Sequence, residues 1–183
     1  MPARTVYILL FRGVGGPTQL PTARLRAALT AAGFEDVATY INSGNAILAS
    51  RRGRDRVIAI VAHICRTELN FAKAIFAPTL AEWRTLIANN PFPHATEGKH
   101  LHAAVLAAAP APAALTALQS LVTPGEGLTV VDQVAYLHTP HGFGTSKLAA
   151  RFDTGVGVTN TARNWNTVRK LCELAEHASG TDH

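Results

Sequence analysis

The segment VATYINSGNAILAS (residues 37–50) predicts a β-hairpin. Its two ends, residues 37–41 and 46–50, are short and largely apolar, as strands with a buried face are. The four residues between them, Asn-Ser-Gly-Asn, supply the glycine and asparagine that tolerate the positive φ angles of tight turns. We therefore expect two antiparallel neighbouring strands at the centre of this part of the chain.

The segments on either side of this hairpin predict further elements that pack with it. Residues 4–11 are strongly apolar, which favours a central strand, and apolar residues recur at helical spacing over 25–32 before a stop at Gly33. Residues 57–65 carry the apolar stripe of an amphipathic helix, and 71–77 predicts a fourth strand. The resulting order, β-α-β-β-α-β, is that of the ferredoxin-like motif.

The same order of elements recurs in the second half of the chain. The predicted elements are a helix at 79–89, the breaker NPFP at 90–93, a strand at 99–107, a helix at 113–122, a hairpin from 127–132 and 133–139, a short helix at 145–152, a last strand at 156–159 and a helix at 162–176. The two halves share no obvious residue identity, so the repetition concerns element order alone.

The predicted fold class is therefore α+β, with two ferredoxin-like (βαββαβ) halves forming one compact unit and a C-terminal helix. The expected boundaries are 1–78 for the first half, 79–98 for a connecting helix and turn, 99–160 for the second half, and 161–183 for the C-terminal helix and tail.

The composition is that of a folded globular protein. Of 183 residues, 48% are hydrophobic and 16% are charged, and no apolar run approaches the roughly 20 residues that a bilayer crossing needs. The uncharged run at 5–11 is short for a signal peptide, so we expect a cytoplasmic protein with no membrane partner. Cys65 and Cys172 lie on apolar helical stripes, which favours buried reduced thiols over a disulfide or a metal site.

Positive charge prevails, with a net charge of +5. Thirteen of the 17 basic residues are arginine, whose guanidinium group suits bidentate contact with phosphate or carboxylate. This excess permits an anionic partner without requiring one.

The glycine-rich loop RGVGG (residues 12–16) and the turn NSGN (42–45) are expected to meet. In a ferredoxin-like half the first and second strands run parallel, so their C-terminal ends lie at one edge of the sheet. There, backbone N–H groups and Arg12 would form a concavity for an anion, with Asn42, Ser43 and Asn45 presenting polar groups beside it. The loop lacks both G-x-G-x-x-G and G-K-[ST], so a tight structural connection remains the alternative.

The segment HGFGTSKL (141–148) predicts a helix start at Ser146 and Lys147. A hydroxyl, a cation and helix N-terminal amides at one place would suit an anionic group. The alternative is a capped helix with a solvated lysine.

The segment TARNWNTVRKLCEL (161–174) predicts a helix capped by Thr161, with Trp165 on its buried stripe. Arg163 and Asn164 would then occupy the first turn. Because an arginine there opposes the helix dipole, we expect an acidic group nearby, either a carboxylate of this protein or a bound ligand.

Two further clusters are weighed against their structural alternatives. His100 and His102 are expected to share one face of a strand, but no third ligand has suitable spacing, so neither a metal site nor a cofactor is predicted. The segment RRGRDR (51–56) predicts a solvated loop and helix start, and its alternative is a patch that attracts nucleic acid by counterion release.

Four segments of the chain resemble the bacterial domain-of-unknown-function 1697 family. They are ATYINSGNAIL, NPFP, GFGTSKL and TARNWNTVRKLCELA, in order across nearly the whole chain. The resemblance implies an α+β fold with ferredoxin-like halves and no established activity. At the first loop the family typically has a pattern like R-G-I-N-V-G-G-K, whereas this chain has the shorter RGVGGP (12–17), so no role of that loop in relatives is carried over.

The sequence thus favours a protein that binds a small anionic or nucleotide-like ligand at its loop edges. The residues expected to line the site are Arg12, Asn42, Ser43, Asn45, Ser146, Lys147, Arg163 and Asn164. One alternative is an enzyme that acts on a phosphate-containing substrate by electrostatic stabilisation alone. The other is a nucleic-acid-binding protein that uses the arginines of 51–56.

Overall fold

The computed structural model describes residues 2–41 and 44–180. Within these ranges the strands are β1 (Thr5–Phe11), β2 (Glu35–Thr39), β3 (Asn45–Ser50), β4 (Ile75–Phe76), β5 (Leu101–Leu106), β6 (Gly127–Val131), β7 (Val134–His138) and β8 (Asn160–Asn164). The α-helices are α1 (Thr22–Ala31), α2 (Arg54–Glu68), α3 (Leu80–Ala88), α4 (Pro112–Gln119), α5 (Lys147–Gly155) and α6 (Trp165–Ser179). None of these helices has both the length and the hydropathy that crossing a bilayer requires.

Each half of the chain builds a four-stranded antiparallel sheet with the same strand order. The first sheet runs β2-β3-β1-β4 and the second runs β6-β7-β5-β8. In the first sheet β1 and β2 both pair antiparallel with β3, and are therefore parallel to each other. This order, with two helices following the strand sequence in each half, confirms the predicted fold of two ferredoxin-like halves.

The chain divides into two compact units. The first comprises Met1–Thr85 and Lys170–His183, and the second comprises Leu86–Arg169. The division falls inside α3 and inside α6, so both helices contribute residues to each unit.

The core of the first unit lies between its sheet and the helices α1 and α2. Leu9 of β1, Leu25 and Leu29 of α1, and Val61 of α2 are almost fully buried. Burying each such side chain contributes roughly 1.5–3 kcal/mol, which explains why the helical stripe predicted over 25–32 forms as expected. Every residue of β1 after Thr5 is buried, as predicted for a central strand.

The core of the second unit is built in the same way beneath α4 and α5. Its buried residues include Leu106 of β5, Leu118 of α4, and Leu148 and Phe152 of α5. On the opposite face of this sheet, the buried Tyr136 donates a 2.6 Å hydrogen bond from its hydroxyl to the carbonyl oxygen of Leu86. That bond satisfies the phenol, which would otherwise be costly to bury.

The strand predicted at 71–77 is shorter than expected. Only Ile75 and Phe76 pair, opposite Phe11 and Leu10 of β1. Phe71 instead packs edge-on against Phe11, with 5.8 Å between the ring centroids, so that side chain belongs to the core rather than to the ladder. Beyond this pair the contact with β1 is irregular: the Ile8 N–H donates a 2.8 Å hydrogen bond to the carbonyl oxygen of Pro78, and Thr79 forms an isolated bridge with Tyr7.

The end of the second half also differs from the prediction. Helix α5 continues to Gly155, and the last strand is Asn160–Asn164 instead of 156–159, pairing with β5 from Asn160 opposite Leu106 to Asn164 opposite His102. Helix α6 therefore begins at Trp165, and the expectation that Thr161 caps it was wrong. The cap is Asn164, whose side-chain oxygen accepts a 3.0 Å hydrogen bond from the Thr167 N–H.

Candidate functional site

The loop 12–16 and the turn that precedes β3 meet at one edge of the first sheet, as predicted. The N–H of Phe11 donates a 2.9 Å hydrogen bond to the carbonyl oxygen of Gly44. Gly44 has φ of 78°, and a Cβ atom there would lie 2.7 Å from Cγ2 of Val14, so only glycine fits. Asn42 and Ser43 lie outside the described residues. We call residues 12–16, 44, 45 and 73 the glycine-loop edge.

The backbone of the glycine loop is accessible to solvent, and several of its N–H groups donate no hydrogen bond to a described residue. Gly13 and Gly16 have φ of 66° and 55°, in the left-handed region, and Gly15 exchanges two backbone hydrogen bonds with Thr18. A Cβ atom on Gly15 or Gly16 would meet nothing within 4 Å. Within the described ranges the N–H groups of Gly13, Val14 and Gly16 donate no hydrogen bond, so they are available to an acceptor.

A lysine outside the set of predicted site residues lies beside this loop. Lys73 belongs to the connection between α2 and β4, and its ammonium donates a 3.0 Å hydrogen bond to the carbonyl oxygen of Gly13. Lys73 is exposed, and none of the carboxylates that the structure describes lies within ion-pair distance of it. Its ammonium has three donors, so two remain for a ligand.

Arg12 adds a second cation at the same edge. Its N–H donates a 3.0 Å hydrogen bond to the carbonyl oxygen of Ala74, which fixes its backbone next to the Lys73 segment. The described residues of this edge, 12–16, 44, 45 and 73, include Arg12 and Lys73 and no aspartate or glutamate, so these residues carry a net positive charge.

Asn45 has a structural place in the turn. Its side chain is buried, and its amide donates to the carbonyl oxygen of Tyr40 at 3.3 Å, while the Tyr40 N–H donates to the backbone oxygen of Asn45 at 3.1 Å. These bonds close the turn on the side of β2. They hold the backbone of Gly44 against the glycine loop.

In the second unit, Ser146 is the N-cap of α5. Its hydroxyl oxygen accepts a 3.2 Å hydrogen bond from the Ala149 N–H. Burial, the largest influence on the pKa of Glu126, raises it, but hydrogen bonds from Ser146 and Thr123 outweigh burial and lower that pKa. The hydroxyl of Ser146 thus donates a hydrogen bond to Glu126 and accepts one from Ala149.

Lys147 follows this cap as the first residue of α5. It is exposed, and the described residues place no ion-pair partner beside it. This geometry matches the alternative of a capped helix with a solvated lysine.

Arg163 and Asn164 lie on β8 instead of on a helix, and this placement separates their side chains. Arg163 is opposite Ala103 and Asn164 is opposite His102, so the two point to opposite faces of the sheet. The Arg163 guanidinium donates to Oγ1 of Thr161 at 2.7 Å and to the Ala162 carbonyl at 2.8 Å. Burial lowers the pKa of Arg163 to about 10, which leaves it charged at neutral pH.

The two histidines expected on one strand face are also separated. His100 ends the short 3₁₀ helix Gly98–His100, whereas His102 is the second residue of β5. No group of three histidine, cysteine, aspartate or glutamate side chains in the described parts of the chain is arranged to hold a metal ion. The expected shared face was therefore wrong, because the strand begins only at Leu101.

The structure instead groups His94, His138 and Phe92 in the second unit. The centroid of the His138 ring lies 5.2 Å from that of His94 and 5.6 Å from that of Phe92. Burial, followed by the neighbouring imidazoles of His94 and His100, lowers the pKa of His138. In the sequence, the sign of this group is the breaker NPFP (90–93) followed directly by His94. This segment places the rings of Phe92 and His94 beside His138 at the end of β7.

Three of the four arginines in 51–56 have partners within the first unit. Arg51 donates to the carbonyl oxygen of Pro2, Arg52 lies over the ring of Phe34, and Arg54 donates to both carboxylate oxygens of Glu82 at 2.6 Å. Most arginines of this cluster therefore make intramolecular contacts.

The comparisons with known proteins point to one family. A family model described as "Protein of unknown function (DUF1697)" matches residues 4–136. The conserved bacterial protein SP0830 from Streptococcus pneumoniae has a similar structure, with a TM-score of 0.72 and 21% sequence identity over 94% of this chain and 99% of that one. At this identity the likeness shows the fold alone. No curated protein matches the chain.

Proposed function

Since the chain belongs to the DUF1697 family of proteins of unknown function, we propose its function from its own geometry: it binds a small anionic ligand, best a phosphate group, at the glycine-loop edge. The observation that carries this proposal is the position of Lys73. Its ammonium lies 3.0 Å from the Gly13 carbonyl oxygen, beside backbone N–H groups that have no partner among the described residues.

The donors at this edge suit phosphate in number and kind. Phosphate accepts several hydrogen bonds at once, and the N–H groups of Gly13, Val14 and Gly16 supply three donors that need no side-chain reorganisation. Lys73 and Arg12 would supply charge. Hydrogen bonds between charged partners are roughly twice as strong as neutral ones, so the two cations would provide most of the affinity.

The openness of the loop supports a ligand that approaches from solvent. The absence of any atom within 4 Å of a Cβ placed on Gly15 or Gly16 leaves the backbone accessible. Glycine permits this close approach, because any larger side chain would stand between the N–H groups and the ligand. We assign Asn45 the role of holding the turn, and we keep Asn42 and Ser43 as proposed ligand contacts.

The remaining predicted contacts belong to the second unit. Among them Lys147 is the best candidate for a contact with an anion, since it is exposed and makes no ion pair with a described residue. The side-chain oxygens of Ser146 and Asn164 accept the capping hydrogen bonds of α5 and α6. The guanidinium of Arg163 donates to Thr161 on the same strand. That all eight residues share one recess stays a prediction.

The two alternatives have less support. Nucleic-acid binding through 51–56 would have to displace the contacts of Arg51, Arg52 and Arg54 with the fold. For an enzyme, residues 12–16, 44, 45 and 73 contribute no carboxylate, thiol or imidazole to act as base or nucleophile.

The test is a calorimetric titration with inorganic phosphate and pyrophosphate as probes. Lys73→Gln removes the charge and shortens the side chain by one bond, and we expect it to weaken binding by about tenfold to a hundredfold, since a hydrogen bond to a charged group contributes roughly 1.5–3 kcal/mol. Lys99→Gln is the matched control, because Lys99 is an exposed lysine of the second unit that pairs with Glu97. Absence of binding by either probe, or equal affinities of the two variants, would refute the proposal.

A further inference from the structure

His102 contains a buried polar atom that the fold does not satisfy. Among the buried side-chain nitrogen and oxygen atoms of the described residues, its Nδ1 is the one without a hydrogen-bond partner. Leaving such an atom unpaired costs roughly 1–3 kcal/mol. Native folds seldom retain this cost without a reason, so the surroundings of the imidazole are informative.

One side of the imidazole is covered by an aromatic ring. Phe143 stacks on His102 with 3.9 Å between centroids and an interplanar angle of 28°. Phe143 stands between two glycines: Gly142 has φ of 113°, and a Cβ atom on Gly144 would meet nothing within 4 Å. The ring belongs to the short 3₁₀ helix Phe143–Thr145, which Gly142 enters with a positive φ angle.

The neighbouring strand β8 places Asn164, which has a side-chain amide donor, opposite His102. His102 on β5 is directly opposite Asn164 on β8, and side chains so placed have Cβ atoms about 4.5–5.5 Å apart. The side-chain oxygen of Asn164 accepts from the Thr167 N–H, while its amide nitrogen has no partner among the described residues. On its other side, His102 is opposite the apolar Leu137.

The imidazole is neutral at physiological pH, because burial lowers the pKa of His102 to about 4. With its proton on Nε2, the neutral imidazole offers a lone pair at Nδ1, and in this tautomer His102 would accept a hydrogen bond while Asn164 donates one. The two side chains do not satisfy each other, although they are neighbours on one face of the sheet.

We propose that His102 and Asn164 form a binding site for a small neutral group with both a hydrogen-bond donor and an acceptor, a primary amide or a hydroxyl, with Phe143 as its cover. The donor of the ligand would donate a hydrogen bond to Nδ1 of His102, and its acceptor would accept one from the side-chain NH2 group of Asn164. Charged groups are disfavoured there, because the site lies beside the apolar Leu137 and a stacked ring. This site belongs to the second unit and does not depend on the phosphate proposal.

The experiment follows the side-chain nitrogen signals of the histidines by NMR during titration with acetamide, which has both groups. His102→Gln identifies the signal of His102 by its disappearance. N,N-dimethylacetamide is the matched probe, since it keeps the acceptor and lacks the N–H donor. We expect acetamide to move the Nδ1 signal saturably and N,N-dimethylacetamide to leave it in place. Equal responses to both probes, or no response to acetamide, would overturn the inference.

Two variants test the roles of the neighbours. Asn164→Asp keeps the oxygen that caps α6 but removes the amide donor, and we expect acetamide to bind about tenfold more weakly, the effect of one hydrogen bond. Phe143→Ala should speed the reaction of His102 with diethyl pyrocarbonate, followed by peptide mass mapping, whereas Phe92→Ala, which uncovers His138 instead, should not. Unchanged acetamide binding in Asn164→Asp, or equal His102 reactivity in both phenylalanine variants, would contradict the site.

Discussion

The ring of Phe92 occupies the space that a side chain at Gly127 would need: a Cβ atom on Gly127 would lie 2.5 Å from Cε1 of the ring. Gly127 is the first residue of β6 and is opposite His138 of β7, whose ring also contacts Phe92. The ring of Phe92 thus packs the segment that follows α3 against the start of the β6–β7 hairpin. The glycine is required by this close approach, not by its φ angle.

Gly127→Ala should therefore destabilise the second unit. Forcing a methyl group against the ring moves Phe92 off His138, and such overpacking costs typically 1–3 kcal/mol. Urea denaturation measures the change in the free energy of unfolding. The control is Gly144→Ala, since a Cβ atom there meets nothing within 4 Å and is expected to change stability by less than about 0.5 kcal/mol. Equal effects of the two substitutions would contradict the close contact.

Gly13→Ala should weaken phosphate binding more than a backbone effect alone would. A Cβ atom on Gly13 would lie 3.0 Å from the Lys73 ammonium and displace it. Gly16→Ala imposes a similar left-handed strain but meets nothing within 4 Å, so it separates strain from the loss of Lys73. Calorimetry with pyrophosphate should show the lower affinity for Gly13→Ala. The reverse order would exclude the assigned role of Lys73.

Acid should destabilise the protein through His102. Because burial lowers the folded-state pKa of His102 to about 4, from 6.5, the unfolded chain takes up the proton first as the pH falls. Stability is therefore full above pH 6.5 and is lost progressively toward pH 4, by on the order of 1–2 kcal/mol between pH 7.5 and pH 5. Urea unfolding at these two pH values measures the change, and His102→Gln should reduce it. A variant with the pH dependence of the wild type would rule this out.

Thr79 and Glu82 form a reciprocal cap at the start of α3. The Thr79 N–H donates to the Glu82 carboxylate at 2.8 Å, and the Glu82 N–H donates to Oγ1 of Thr79 at 3.2 Å. Thr79→Ala should lower the free energy of unfolding by about 1 kcal/mol. Thr85→Ala, which removes an exposed hydroxyl bonded within the same helix, should cost clearly less. Thermal unfolding compares the two, and an equal loss would argue against the cap.

The elements that the sequence predicted well are those with a strong local pattern. The hairpin around 37–50 and the helix over 25–32 depend on apolar spacing and on Gly33 and Gly44, which have φ of 80° and 78° as their turns require. The parallel course of β1 and β2 followed from element order, and it correctly placed the loop 12–16 against the turn before β3.

The elements that were missed depend on partners far away in the chain. β8 is a polar strand whose identity comes from its pairing with β5, so its residues Thr161–Asn164 were taken for the start of a helix. Lys73 gains its place from a hydrogen bond to Gly13, 60 residues earlier. The stacking of Phe143 on His102 likewise joins separate segments. No local periodicity carries such information.

The common strand order of the two sheets makes residues 107–111, between β5 and α4, the counterpart of the glycine loop. There the chain has Ala-Ala-Ala-Pro-Ala, with neither a cation nor a glycine. The second unit therefore offers an internal control, because it has the same strand order without the glycine loop. Replacing residues 107–111 by RGVGG would show whether those five residues are sufficient to confer phosphate binding.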